Sequence, residues 1–307
     1  MPSEIDQAVR RALDASGVRP LRVRDPVVRL GSGYAAVAYR VRTADGDLVL
    51  RLPRAPLDYN VPLLRREANL LPVLERFELG VTTPRGMREV RDGRAFLGTV
   101  HELVPGTPVP VGLRGAARER LCTDIGRFLA ALHAVPAARA KRAGAPERDL
   151  WPDLYRGLIE ETLPQLGPNA RAWLSRAAVD FLRAGGTRNA PRVLVHGDIQ
   201  QTHLLADDDG ALSGVIDFGE AQVADPALDF AGVLNHLGWR DLKRVWMAYG
   251  AAGGQLDREV ERRTRFYIAV VPIYRVIYGE AAEGPAERLG GLRQLAARAA
   301  AATRRGG

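Results

Sequence analysis

Between Val193 and Phe230 the chain gathers Asp198, Asp217, Asp225 and Asp229 with His196 and His203 inside about forty residues. Val193-Leu194-Val195 reads as a short strand ending in the polar turn His196-Gly197-Asp198. Leu204-Leu205-Ala206, the turn Asp208-Asp209-Gly210 and Gly214-Val215-Ile216 read as a β-hairpin. Strand ends of this kind aim Asp198, His203 and Asp217 at one place, where two carboxylates and an imidazole can hold a hard cation. Phosphoryl transfer needs that arrangement: one carboxylate orients an incoming hydroxyl, and a second with a neighbouring ligand holds Mg²⁺ on nucleotide phosphates. Asp198 is then the catalytic carboxylate and Asp217 the principal Mg²⁺ ligand. His203 is the second metal ligand, direct or through water, or instead a phosphate contact, because Mg²⁺ prefers oxygen. His196 is expected to brace the loop. Asp225 and Asp229 are expected to cap a helix starting near Pro226 and to tie the loop down.

His196-Gly197-Asp198, a ligand candidate five residues further on, and Asp217-Phe218-Gly219 with its Asp nineteen residues after Asp198 resemble the aminoglycoside phosphotransferase-like kinases, relatives of the protein kinases. The signature of that family, HGDxxxxN, ends in Asn, and the position is His203 here, as it is in the macrolide 2′-phosphotransferases. Leu50–Arg54, Leu132–Pro136, Ile216–Phe230 and Tyr249–Gly254 are similar to that branch too, so the likeness runs from about residue 28 to the C-terminus. It implies an α+β, two-lobed protein-kinase-like fold: a small β-sheet lobe over residues 1–103 that binds nucleotide, and a mainly helical lobe over 104–307 with the catalytic loop and acceptor site. It further implies Mg²⁺ and GTP (ATP as the alternative), a macrolide acceptor phosphorylated on the 2′-hydroxyl of its amino sugar, and antibiotic resistance.

The elements that would position this chemistry follow in order. Glu4–Ala15 has an amphipathic helical pattern, with Ile5, Val9, Ala12 and Leu13 on one face and Gly17 to end it. Val27–Leu30, Tyr34–Val41 and Asp47–Leu52 read as strands. The loop Gly31-Ser32-Gly33-Tyr34 between the first two suits a phosphate cradle, since Gly lets backbone N–H groups come close; a hairpin turn needs the same residues. Arg51 stands where kinases carry a Lys on the third strand, no Lys occurring before Lys141. It is the candidate phosphate contact, or else a solvent-facing strand residue, and Arg for Lys changes the geometry. Its expected partner is Glu67, on a helix opened by Asn60 and Pro62. Met87–Arg91 and Arg94–His101 form a second hairpin. It leads into Glu102–Gly106, a hinge that can offer the Glu102 C=O and Val104 N–H to a purine edge. Arg114 onward is helical to His133, read as a core histidine. Lys141–Arg148 reads as a polar connector, with helices over Asp153–Leu163 and Asn169–Leu182.

The 307 residues, 46% hydrophobic and 26% charged, suit an ordinary globular protein with an ample core. The net charge of +8 is almost all Arg, dispersed among acids, so nucleic-acid binding is not expected. Cys122 is the only cysteine, which excludes an internal disulfide and points to a reducing cytoplasm. The first residues lack the basic and apolar regions of a signal peptide, and no run of eighteen apolar residues can span a membrane. A cytoplasmic monomer is the expectation.

Beyond Asp229 the chain is helical and rich in large apolar groups. Trp239, Met247, Phe266, Tyr267 and Tyr274 are candidates to line an acceptor pocket, with Glu220 to face a substrate cation. From Arg240 onward there are thirteen basic and seven acidic residues. A polycationic aminoglycoside would want the opposite balance, whereas a macrolide, apolar with one dimethylamino group, would not. Two rivals stay open: a kinase for an aminoglycoside or another hydroxylated metabolite, and a nucleotide-binding pseudokinase, motivated by Arg51 and His203 in place of Lys and Asn.

Overall fold

The computed structural model describes residues 7–23, 26–110 and 112–306. Helix α1 (Gln7–Ser16) buries Val9, Ala12 and Leu13, spaced i, i+3, i+4, against a five-stranded sheet. The start of the helix expected at Glu4 lies outside the described residues. The strands β1 (Val27–Ser32), β2 (Ala36–Thr43), β3 (Gly46–Pro53), β4 (Arg88–Asp92) and β5 (Ala95–Glu102) are antiparallel in the order β1-β2-β3-β5-β4. Alternation puts Val41, Leu50, Val90 and Val100 beneath α1 in a small core. Gly98 is required in β5: a Cβ there would lie 2.1 Å from the Arg51 carbonyl oxygen.

Helix α2 (Leu57–Leu74) lies between β3 and β4 and starts earlier than the expected cap. Asn60 is not the cap but a buried residue of the first turn, whose amide donates to the Arg54 carbonyl at 2.9 Å. The inward face of α2 carries Ala68, Leu70, Leu71 and Leu74 into the larger core, which it shares with Leu194 and Phe218 far along the chain. Each such apolar side chain contributes roughly 1.5–3 kcal/mol on burial. The helix therefore couples the sheet lobe to the catalytic region by packing.

After the hinge come β6 (Thr107–Pro108) and α3 (Gly115–His133). Gly106 has φ of 115°, and a Cβ would meet Ser213 Oγ at 2.6 Å, so only Gly can turn the chain there. The connector expected at Lys141 opens instead inside α4 (Ala137–Arg142). Pro136 provides its N-terminal φ of −58°, and the run Ala-Ala-Arg-Ala-Lys-Arg favours helix. Then follow α5 (Arg156–Thr162), entered through a wide turn at Trp151–Tyr155, and α6 (Pro168–Arg183). The central stretch forms β7 (Val193–Val195), β8 (Leu204–Ala206), β9 (Leu212–Val215) and β10 (Gln222–Ala224). Strand β10, not expected from the sequence, pairs antiparallel with β7 and so closes the loop between them. Helices α7 (Ala227–Leu237), α8 (Trp239–Ala251), α9 (Val260–Val270), α10 (Pro272–Glu283) and α11 (Pro285–Gly306) complete the α+β, kinase-like fold of a small antiparallel sheet and a mainly helical remainder. No helix among the described residues is long and apolar enough to cross a membrane.

Candidate active site

Asp198 sits in the turn after β7, and its backbone is held from three sides. Gly197 has φ of 82°, and a Cβ would meet the Glu220 carbonyl oxygen at 2.4 Å, so the turn admits only Gly. The buried carboxylate of Asp229, on α7, accepts the N–H groups of His196 (2.9 Å) and Gly197 (2.8 Å). It is itself backed by His133 Nε2 at 3.1 Å, with Tyr249 O–H on the other ring nitrogen. His133 is thus a core residue, as expected. His196 donates from Nε2 to the Ile216 carbonyl (3.1 Å) and accepts the Asp198 N–H on Nδ1 (3.3 Å), bracing the loop. Burial pushes its pKa down, which keeps the ring in the neutral form those two bonds require. Asp225 caps α7 through the Ala227 N–H (3.0 Å) and binds Arg263 and Tyr267, both at 2.7 Å, in the core.

Three charged groups from three elements meet beside Asp198. Arg51 of β3 bonds Glu67 of α2 and, through its other terminal nitrogen, Asp217 Oδ1 at 2.9 Å. Glu67 also accepts the Phe218 N–H at 3.1 Å, so one buried carboxylate fixes both the arginine and the turn that carries Asp217. Burial alone would raise the Asp217 pKa, but the Arg51 guanidinium outweighs it and holds the carboxyl well below the usual carboxylate range. Burial likewise pushes Glu67 up, against the lowering charge of Arg51. Asp217 has φ of 68° and ψ of 64°, and among the described residues no other non-glycine has positive φ. Such strain marks a side chain held by its surroundings in a required direction.

His203 lies between the two aspartates. Its Nδ1–H donates to the Asp198 carbonyl (2.9 Å), which directs Nε2 at Asp217 Oδ2, 3.5 Å away. An outer hydrogen bond on one ring nitrogen and a free lone pair on the other is how metal-bound imidazoles are prepared. Among the described residues no group of three His, Cys, Asp or Glu converges on one point. An ion here would take its other ligands from water and phosphate, the habit of Mg²⁺.

The residues expected to hold nucleotide fall along one cleft edge. Gly31 and Ser32 end β1, and Gly33 and Tyr34 turn the chain into β2, the Gly33 N–H bonding the Ala36 carbonyl at 3.0 Å. The stretch is the hairpin turn, and no heavy atom lies where a Cβ of Gly31 would stand, so the backbone is open to a ligand. At the hinge the Glu102 carbonyl is engaged by His101 Nδ1 at 2.8 Å, which burial keeps neutral by lowering its pKa to about 4. The buried Val104 follows it, and its N–H has no hydrogen-bond partner among the described residues.

On the acceptor side two candidates need correction. Phe266 and Tyr267 are buried, stacked on Phe181 (3.9 Å) and Tyr155 (5.3 Å) respectively, because α9 turns that face toward α6. They are core rather than cleft. Met247 is 76% exposed on α8, and Trp239 lies under the Arg265 guanidinium at 3.9 Å. Neither makes a ring contact with the residues around Asp198. Tyr274 is different: it stacks on Tyr278 (6.2 Å), which stacks on Tyr59 of α2 (6.0 Å). Tyr59 O–H reaches Glu220 at 3.4 Å, and Arg66 lies 4.0 Å from the same carboxylate while donating to the Gly219 carbonyl. Burial raises the Glu220 pKa; the charges of Asp198 and Asp217 add to this, and Arg66 and Arg148 oppose it.

Sequence reasoning missed Tyr59, Arg66 and Arg148, whose meeting with Tyr278 and Glu220 depends on packing between α2 and α10. It also missed Gln200, whose amide nitrogen contacts both Asp198 oxygens at 2.7 and 2.8 Å. The one available signal was the i, i+4 spacing of Tyr274 and Tyr278.

Comparison with known proteins agrees with this geometry. The chain is 27% identical to viomycin phosphotransferase of Streptomyces vinaceus over 69% of this chain and 75% of that one. It is 31% identical to a homoserine kinase of Gluconacetobacter diazotrophicus, over 67% of this chain and 63% of the kinase. An uncharacterised Bacillus subtilis protein is 34% identical over 80 residues, and the chain spans only 26% of its length. Among solved structures, the GDP and kanamycin complex of APH(2″)-IIIa superposes with a TM-score of 0.81 at 23% identity, covering 95% of this chain and 97% of that one. The macrolide 2′-phosphotransferase MphH of Brachybacterium faecium gives 0.73 at 22% identity, covering 92% and 96%. The model of the phosphotransferase enzyme family (APH) matches residues 26–267, and with the sheet lobe, the His196-Gly197-Asp198 turn and the Asp217 loop all inside that span, this chain belongs to the phosphotransferase enzyme family.

Proposed function

We propose that the protein transfers the γ-phosphoryl group of GTP, with ATP as the alternative donor, to the 2′-hydroxyl of a macrolide amino sugar. Glu220 carries this reading. It is a half-buried carboxylate near Asp198, walled by Tyr59, Tyr274 and Tyr278 and flanked by two arginines. An acceptor with one ammonium group and a large apolar body matches that lining, whereas a polycation would meet Arg66 and Arg148. His203 and the likeness in fold to MphH point the same way, and the GDP complex of APH(2″)-IIIa supports a guanine nucleotide.

Asp198 would orient the acceptor hydroxyl and take its proton late, as a loose transition state allows. Gln200, on both its oxygens, fixes the carboxylate direction. Asp217 and His203 would hold Mg²⁺, which when bound neutralises charge on the phosphates. Arg51, fixed by Glu67, would contact the nucleotide phosphates, with Gly31–Tyr34 above them and the Val104 N–H at the base edge.

One observation favours a second reading. Among the described residues the Arg148 side chain forms no ion pair or hydrogen bond, although its charge acts on Arg66 and Glu220. An acceptor carrying a carboxylate as well as an amine, as homoserine does, would complement both charges.

Purified protein incubated with Mg²⁺ and GTP or ATP, then with erythromycin, a larger-ring macrolide, kanamycin or homoserine, is analysed by mass spectrometry. One added phosphoryl group on a macrolide with GTP preferred is the expected result. Phosphorylated homoserine or kanamycin would replace the acceptor class, and nucleotide binding without any product would replace the enzyme by a pseudokinase.

A further inference from the structure

The acceptor side of the cleft is built from both lobes. Tyr59 belongs to α2, the helix that carries Glu67 and hence Arg51, whereas Tyr278 belongs to α10. Their rings stack at 6.0 Å and 21°, and the column continues to Tyr274 at 6.2 Å. Tyr59 is 48% exposed and its neighbour Leu57 56%, so the first turn of α2 presents apolar surface to solvent beside a carboxylate. Proteins keep such surface where something covers it. The charge pattern says what: Glu220 sits under the Tyr59 hydroxyl, and aromatic faces beside a carboxylate favour an ammonium group carrying alkyl substituents.

We infer that the acceptor is seated between the lobes, with its alkylated ammonium group on Glu220 and its apolar body against Tyr59 and Tyr278, so that the nucleotide lobe helps to choose the acceptor. This rests on the proposed kinase activity. Tyr59 and Tyr278 are specificity-determining residues: they touch the acceptor and not the nucleotide. Helix α2 joins the two sites. Tyr59 and Glu67 are eight residues apart, about 12 Å along the axis, so one helix carries the acceptor wall in its first turn and the Arg51 anchor at its middle. Arg66, on the same helix, pins the opposite wall through the Gly219 carbonyl at 2.9 Å.

The test compares wild type with Tyr59→Ala, Tyr278→Ala and Tyr59→Phe, using whichever of erythromycin, kanamycin or homoserine the wild type phosphorylates. Tyr59→Ala and Tyr278→Ala are expected to raise the acceptor KM about tenfold. The nucleotide KM should hold within about twofold, and Tyr59→Phe should stay near wild type, which also shows that α2 is intact. Acceptor KM unchanged in both alanine variants, or a nucleotide KM rising in parallel, overturns the seat. If kanamycin or homoserine proves to be the substrate, the macrolide reading falls while the same KM split still judges the seat. If none of the three is phosphorylated, calorimetric titration of each onto the protein with GDP and Mg²⁺ decides: no binding overturns the seat, and binding weakened by Tyr59→Ala supports it.

Discussion

Along helix α2 the first turn at Tyr59 and the middle at Glu67 have differently built surroundings. At Glu67 the side chain is fully buried and every polar group is taken: the carboxylate holds Arg51 and the Phe218 N–H, and Arg51 holds Asp217. At Tyr59 the ring is half exposed, its hydroxyl contact to Glu220 is long at 3.4 Å, and Arg148 acts on Glu220 through its charge without forming an ion pair or hydrogen bond among the described residues. A buried charge is stable only when the protein itself completes its coordination, so the nucleotide side is fixed before any ligand arrives. The acceptor side is left for the ligand to complete.

The sharpest break falls between them. Asp198→Asn should lower phosphoryl transfer by about a thousandfold or more while the nucleotide dissociation constant stays within about threefold; rapid-quench assays and nucleotide titration read the two. Loss of nucleotide binding would place Asp198 on the nucleotide side instead. Arg51→Lys should raise the nucleotide KM about tenfold, because one ammonium cannot hold Glu67 and Asp217 at once as the guanidinium fork does. An unchanged KM would remove Arg51 from the phosphates.

Glu67→Gln leaves the buried Arg51 with weakened compensation and should destabilise the fold by about 3 kcal/mol, whereas Glu220→Gln at the half-exposed end should cost less than about 1 kcal/mol. Urea denaturation of the two variants compares them directly, and equal losses would erase the distinction.

Stability also responds to pH. The folded pKa of His101 is depressed to about 4 from an ordinary 6.5, so the unfolded chain binds the proton first. Stability should therefore be full above pH 6.5 and fall as pH drops from 6.5 toward 4, by up to about 1.4 kcal/mol per unit from this group. His101→Gln should flatten that part of the melting-temperature profile; an unaltered slope would assign it to other groups such as His196, whose pKa is also lowered by burial. The mildest change is Glu220→Asp, expected to raise the acceptor KM severalfold with the nucleotide KM unmoved.

Legibility in the sequence follows the same division. Asp198, His203 and Asp217 could be read because they sit at fixed spacing in one stretch; the structure puts His203 3.5 Å from each carboxylate, without the three converging on one point. Arg51 and Glu67 could be paired because strand and helix spacing limits which side chains face each other, and they do meet. The acceptor candidates fared worse. An aromatic residue in a helix looks alike in sequence whether it packs wholly inward, as Phe266 and Tyr267 do, or is only partly buried in a stack reaching toward Tyr59, as Tyr274 is. The α4 helix and β10 were missed since each is short, and short elements form only where neighbours hold them.

By itself the sequence determined what is local: the hydrophobic periods that make a small sheet lobe and a helical remainder, the Gly and Asp positions of the two tight turns, and a set of carboxylates and imidazoles suited to phosphoryl transfer. Only the tertiary structure decided which groups share a site across long separations. Asp229 reaches back to the turn of Asp198, Arg51 crosses 166 positions to Asp217, and Tyr59 meets Glu220 and Tyr278. Those contacts follow from how α2, α7 and α10 pack, and packing is set by shape complementarity summed over many side chains, which no short window of sequence contains.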